Sequence, residues 1–304
     1  MEQQSLAQAA RRLAELVRPM APAAGSQVTA VPYLAIHRYV SARTELPQAE
    51  GPHLLLILAG ALRLYTPEGV RDYGPGSYAV PAFGVPLSGQ LLPASEAGDF
   101  LALSVSFTLN DVLSVVLELE GDLAERIVDG RLPEAERSAA DTHVVDTIGH
   151  LVSLLGEPTQ LAFMARHLLR EIIFHVLCGS CGQPFLQSVV SMQSAGGIYE
   201  VNSWIKTHFR QTFTVEELAE RQNMSVSQFH QKFKSAVGMG PLQCQKRLRL
   251  TEARRLMLDE SRNVTEAALD VGYESVSQFI RDYRKLFGAS PREDIQELRC
   301  LLQK

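Results

Sequence analysis

The sequence predicts an α+β chain of two domains: a β-rich N-terminal half that ends in helices, and an all-α C-terminal region. Three observations predict it. Short apolar runs separated by turn residues fill residues 28–107, a 3.6-residue period takes over from about Asn110, and one unit near the C-terminus occurs twice. At 304 residues the chain can hold two cores, because single cores stop growing at roughly 250–300 residues. With 46% hydrophobic and 21% charged residues, it has an ordinary globular composition.

The segment Met1–Val17 spaces Leu6, Ala9, Ala10, Leu13, Leu16 and Val17 as a short amphipathic helix, interrupted by Arg11 and Arg12. It lacks the continuous apolar stretch of a secretory signal. The most apolar run, Leu54–Leu62, is too short for a bilayer and ends at Arg63, so a cytoplasmic protein without membrane contact is expected. Strands are predicted at Tyr33–Tyr39, Leu54–Leu58, Ala61–Tyr65, Ser77–Val80 and Phe100–Phe107. Turns at Glu50-Gly51-Pro52, Pro67-Glu68-Gly69, Gly74-Pro75-Gly76 and Gly84-Val85-Pro86 punctuate them, as in a small barrel or sandwich. Three helices follow, marked by Leu113–Leu117, Val144–Leu155 and Leu161–Val176 and separated by Gly130–Pro133 and Gly156-Glu157-Pro158. Residues 178–197, rich in Gly, Ser, Gln and Pro, read as linker. The domains are therefore drawn at 1–180 (barrel about 21–110, helices about 111–178), a linker at 181–197, and a helical domain at 198–304.

A net charge of −5 argues against a nucleic-acid partner, but the charge is unevenly placed. From Ala195 to Lys304 there are 17 Lys and Arg against 14 Asp and Glu, while the remainder carries 12 against 20. Between Arg221 and Arg255 eight basic residues face one acid, Glu252. Such a local basic stretch is the footprint of phosphate binding at one place.

The repeat lies in this stretch. Ser225-Val226-Ser227-Gln228-Phe229 recurs as Ser275-Val276-Ser277-Gln278-Phe279, and Phe233, Lys234, Gly238 and Pro241 match Tyr283, Arg284, Gly288 and Pro291. Each copy reads as a short helix (Val215–Gln222; Val264–Val271), a tight turn (Asn223-Met224; Gly272-Tyr273-Glu274) and a second helix opened by Ser225 or Ser275. Gln228 and Gln278 stand at capping-box spacing. Phe229, Phe233, Ala236 and Val237, and Phe279, Tyr283, Leu286 and Phe287, form core faces. The opposite faces carry Ser227, His230, Gln231 and Lys234, and Ser277, Ile280, Arg281 and Arg284. Those groups suit contacts to base edges in a major groove. A helix from Pro241 to Leu258 should set the separation of the two readers, about 34 Å if they enter successive grooves.

Residues 198–304 resemble the DNA-binding domain of the AraC/XylS family of regulators. The likeness lies in Thr214-Val215-Glu216-Glu217-Leu218-Ala219, Arg247-Leu248-Arg249-Leu250 with Ala253 and Leu256, Gly272 through Arg281, and Phe287-Gly288-Ala289-Ser290-Pro291-Arg292. Cys244 and Asp294 depart from it, standing where the family usually has an aromatic. Residues 20–180 resemble, less specifically, an AraC-type regulatory domain at Leu56–Gly60, Tyr73–Tyr78, Pro86-Leu87-Ser88-Gly89 and Leu168–Ile172. The resemblance implies a cupin-like β-barrel with dimerisation helices.

An enzyme is not expected. A metal-dependent cupin needs clustered His and Glu ligands, and His37 and His53 stand alone, so no catalytic residue, metal or cofactor is assigned. Four cysteines are too few for a disulfide framework, and Cys178-Gly179-Ser180-Cys181 reads as two free thiols before it reads as a redox or zinc pair. The expectation is a signal- or ligand-responsive, sequence-specific DNA-binding activator. Its partners would be promoter duplex, RNA polymerase, a small-molecule effector and a second copy. The alternative is a redox- or small-molecule-sensing module whose DNA contacts serve only tethering or repression.

Overall fold

The computed structural model describes residues 2–42, 52–66, 69–80, 88–95, 98–119, 122–195 and 197–302. The turns predicted at Glu50-Gly51, Pro67-Glu68 and Gly84-Val85-Pro86, and Pro86-Leu87 of the N-terminal likeness, lie outside the described residues. The chain divides into two units. The first comprises Met1–Leu62, Tyr73–Ala82 and Gln90–Val190, the second Arg63–Asp72, Phe83–Gly89 and Ser191–Lys304.

The first unit opens with α1 (Glu2–Val17), where Ala10, Leu13, Ala14 and Val17 form one buried stripe at helical spacing. Arg11 and Arg12 fall on the exposed side and leave the helix unbroken. The described strands are β1 (Gly25–Val28), β2 (Leu34–Tyr39), β3 (His53–Ala59), β4 (Ala61–Thr66), β5 (Gly69–Tyr73), β6 (Tyr78–Ala79), β7 (Ser88–Leu92) and β8 (Phe100–Ser106). An antiparallel sheet runs β1-β2-β8-β3-β6, and a three-stranded sheet runs β5-β4-β7. Strands β3 and β8, paired from His53–Ser106 to Ala59–Leu101, are buried on both faces, which is why they read as continuous apolar runs rather than alternation. Strands β1, β5 and β7 escaped prediction: the residues of β1 and β5 are small or polar and partly exposed, and β7 offers only Leu91 and Leu92 as apolar signal.

Next come α2 (Leu109–Val116), α3 (Asp122–Val128), α4 (Glu134–Ser153) and α5 (Pro158–Cys178). Helix α2 starts in a reciprocal box between Thr108 and Asp111. Val144, Val145, Ile148 and Leu151 of α4 and Leu168, Leu169, Ile172 and Val176 of α5 share one core with Leu54, Leu56 and Leu58 of β3 and Leu101, Leu103 and Val105 of β8. Residues 181–197, expected as linker, are largely helical: α6 spans Gly182–Ala195. Its Phe185, Leu186 and Val189 recur at helical spacing and are buried in the first unit's core. Three apolar residues against a ready core outweigh a poor local helix propensity.

The second unit is helical from α7 (Ile198–His208) onward: α8 (Val215–Arg221), α9 (Val226–Val237), α10 (Pro241–Asp259), α11 (Val264–Asp270), α12 (Val276–Phe287) and α13 (Pro291–Leu302). Phe229, Phe233 and Val237 of α9 pack with Ile198, Val201 and Ile205 of α7 and Leu218 of α8. Phe279 and Tyr283 of α12 pack with Leu250, Ala253 and Met257 of α10, Ala267 and Ala268 of α11, and Ile295 and Leu298 of α13. Helix α10 contributes to both cores, since its Cys244 and Leu248 belong to the first.

Candidate nucleic-acid interface

Each copy of the repeat folds as the same helix-turn-helix, and its local chemistry explains why. Thr214 caps α8 in a reciprocal box with Glu217, and Asn263 caps α11 in one with Glu266. The turn of the first copy puts Asn223 at φ 51°, a left-handed conformation asparagine tolerates. The turn of the second puts Gly272 at φ 89°. Ser225 and Ser275 then accept the backbone N–H of Gln228 and Gln278 at 3.3 Å. The predicted box is thus formed in its hydroxyl half. Both second helices stop at left-handed glycines, Gly238 at φ 79° and Gly288 at φ 80°.

The structure places Ser227, His230, Gln231 and Lys234 on the exposed side of α9, opposite the fully buried Phe229 and Phe233. Ser277, Arg281 and Arg284 are exposed on α12, opposite the fully buried Phe279 and Tyr283. Ile280 is half-buried and leans on the second core, so only part of its side chain can meet a ligand. The one acid of α12, Asp282, is buried, bonded by Tyr273 Oη at 3.3 Å and by Lys246 Nζ at 3.1 Å. Turning that carboxylate inward leaves Arg281, Arg284 and Lys285 to set the charge of the exposed face. Among the described residues, no carboxylate lies within ion-pair distance of Lys232, Lys234 or Arg281. These cations are available to phosphate.

Sequence reasoning missed two features here. A surface depression of about 280 Å³ is lined by His230, Lys234, Val215 and the start of α10 at Gly240–Gln243. The cap of α10, Gly240, makes no side-chain bond to the first turn, and Pro241 at the first helical position has no N–H to satisfy. A second depression of similar size is lined by Trp204 and Arg221, whose guanidinium lies 4.2 Å from the Trp204 ring centroid. Neither is legible from spacing, because each joins residues of separate helices.

His37 is buried between two hydroxyls, Ser26 Oγ at 2.8 Å from Nδ1 and Ser104 Oγ at 2.8 Å from Nε2. Burial, with His53 nearby, pushes its pKa down to about 4, so the ring is neutral and both nitrogens are engaged. Among the described residues no three His, Cys, Asp or Glu side chains converge as metal ligands would. Burial pushes the Cys178 and Cys181 thiols up, which disfavours the reactive thiolate. Among the described residues no helix is long and apolar enough to cross a membrane.

Residues 218–296 match the family model of a helix-turn-helix domain. Residues 30–184, just over half the chain, match the model of the AraC-type transcriptional regulator N-terminus. The chain belongs to the AraC-type transcriptional regulators. It is 27% identical over 153 residues to the HTH-type transcriptional activator RhaS of Escherichia fergusonii, covering 50% of this chain and 55% of that protein. To RhaS of Salmonella schwarzengrund it is 28% identical over 185 residues, covering 58% and 65%. The match thus spans less than two thirds of the length of these curated relatives. Among solved structures it is similar to fatty-acid-bound ToxT from Vibrio cholerae, at 12% identity and TM-score 0.37 over 86% of this chain and 94% of that one.

In this AraC-type chain the two departures have physical partners. Asp294 sits 6% exposed beneath α10, where Arg254 Nε donates to it at 2.8 Å and Tyr283 Oη at 2.6 Å. An ion pair with a phenol replaces the aromatic plug. Cys244, fully buried, fills its place with a small thiol whose Sγ lies 3.6 Å from Asn202 Oδ1.

Proposed function

We propose that this protein is a sequence-specific DNA-binding transcriptional regulator that places α9 and α12 in major grooves of one duplex. The observation that carries the reading is the pair of like-built helices with buried aromatic faces and exposed polar or basic faces, the acid of α12 turned inward. Ser227, His230, Gln231 and Lys234, and Ser277, Ile280, Arg281 and Arg284, make the contacts; no residue is assigned to catalysis. Activation, through contact with RNA polymerase, is the direction favoured by relatives named as transcriptional activators. The first unit receives a small-molecule effector and pairs two copies through α4 and α5. Phe163, 70% exposed on α5 with its ring tilted against His167 at 5.1 Å between centroids, supports that pairing. A chain that sediments as a monomer at micromolar concentration removes it.

The direct test is a gel shift of the full chain on genomic fragments, repeated across a salt series. Retention of a few fragments, with affinity falling linearly on a log–log salt plot, is expected because each Lys or Arg releases counterions. Equal retention of all fragments, or a flat salt response, refutes sequence-specific binding through this face.

A further inference from the structure

We propose that Arg249 of α10 is a positioning residue for DNA binding: it clasps the two helix-turn-helix copies in one pose without touching DNA. The proposal rests on the DNA-reading function above. The Arg249 fork reaches both copies at once. Nε donates to the Phe209 carbonyl at 2.7 Å, and Nη2 to the carbonyls of Arg210 at 3.1 Å and Gln211 at 3.0 Å. Phe209 caps the C-terminus of α7, which packs on α9 in the first copy, and Arg210 and Gln211 follow it directly. Nη1 donates to the Gly272 carbonyl at 2.8 Å, in the turn of the second copy. One helical turn back, Gln245 Nε2 donates to Phe209 at 3.1 Å and Gln211 at 2.6 Å.

The carbonyls at a helix C-terminus lack intrahelical donors and carry partial negative charge. They offset the guanidinium, and among the described residues no carboxylate pairs with it. A lysine would reach one or two of these oxygens; only the planar fork spans four. The contact is close as well as polar. A Cβ on Gly272 would lie 2.3 Å from the Arg210 carbonyl oxygen, so the second turn rests directly on the backbone of the first copy. From there the path continues to the reading helix. Arg249 lies 5.9 Å from the Tyr273 ring centroid, and Tyr273 Oη bonds Asp282 of α12.

A clasp of this kind fixes the distance between readers, and its loss shows as tolerance of spacing. The full wild-type chain selects a duplex from a random pool. Arg249→Gln and Arg249→Lys are then compared with it on that duplex, on single half-sites, and with one or two base pairs inserted between half-sites. Rigid linkage of two modules gains on the order of 10²–10⁴ in avidity, so losing the pose should weaken the native-spaced duplex about tenfold. The insertion penalty should shrink at least about threefold in both variants, with half-site affinity within about twofold of wild type. A loss that is equal on half-sites and full duplex, or an unchanged insertion penalty, overturns the clasp alone. Thermal melting identifies an unfolded Arg249→Gln chain, in which case Arg249→Lys decides. If the wild-type chain selects no duplex, the DNA-reading function fails and the clasp with it.

Discussion

Replacing Asp294 by asparagine tests whether the ion pair under α10 holds the second unit together. Arg254 and Asp294 are 4% and 6% exposed, and Arg254 also lies over the Phe287 ring at 4.1 Å. The guanidinium therefore cannot swing into water without disturbing the packing around α12. Removing one side of a buried pair costs about 3–5 kcal/mol, because a charge is left without compensation. Asparagine keeps one carbonyl oxygen for Tyr283 or Arg254, which places the expected cost near the lower end, about 3 kcal/mol. The sole tryptophan, Trp204, packs against the first core of the second unit and reports its unfolding by fluorescence. With a urea slope of about 1–3 kcal/mol per molar, the midpoint should fall by about 1–3 M. Replacing both partners together, Arg254→Met with Asp294→Leu, should cost less than Arg254→Met or Asp294→Leu alone, since no orphan charge remains. A loss below about 1 kcal/mol for Asp294→Asn, or additive costs for the pair, would refute the reasoning.

Arg281→Ala should cost about 1–3 kcal/mol on the preferred duplex and relax preference at one base pair; an equal loss on every sequence makes Arg281 a phosphate contact. His37 has a folded pKa of about 4 against 6.5 in the open chain, so the unfolded state binds more protons between these values. Stability should fall by up to about 3 kcal/mol as pH drops from 6.5 to 4, and His37→Gln should flatten that slope in thermal melts; an equally steep slope counts against it. Exposed Cys300 should alkylate well before Cys178 and Cys181, whose thiols burial holds protonated. Rapid labelling of either, or a disulfide between them after mild peroxide, would revive a redox role.

Signals that act within a few residues were readable from the chain by itself. The five-residue repeat, the hydroxyl caps at Ser225 and Ser275, the turn residues Asn223 and Gly272, and the 3.6-residue spacing of Phe229 and Phe233 each fix a local conformation. Together they located both helix-turn-helix copies and their exposed faces. Only tertiary structure decided the rest, because those partners lie far apart in sequence. Asp294 is an unexplained departure until Arg254, forty residues away, is seen beside it. His37 reads as a lone ligand until Ser26 and Ser104 are found on neighbouring strands. Helix α6 reads as linker until the core that buries Phe185 and Val189 exists. Arg249 reads as one more basic residue in a phosphate-binding stretch. Its role follows from carbonyls left open where a helix ends, and where those ends meet is a property of packing.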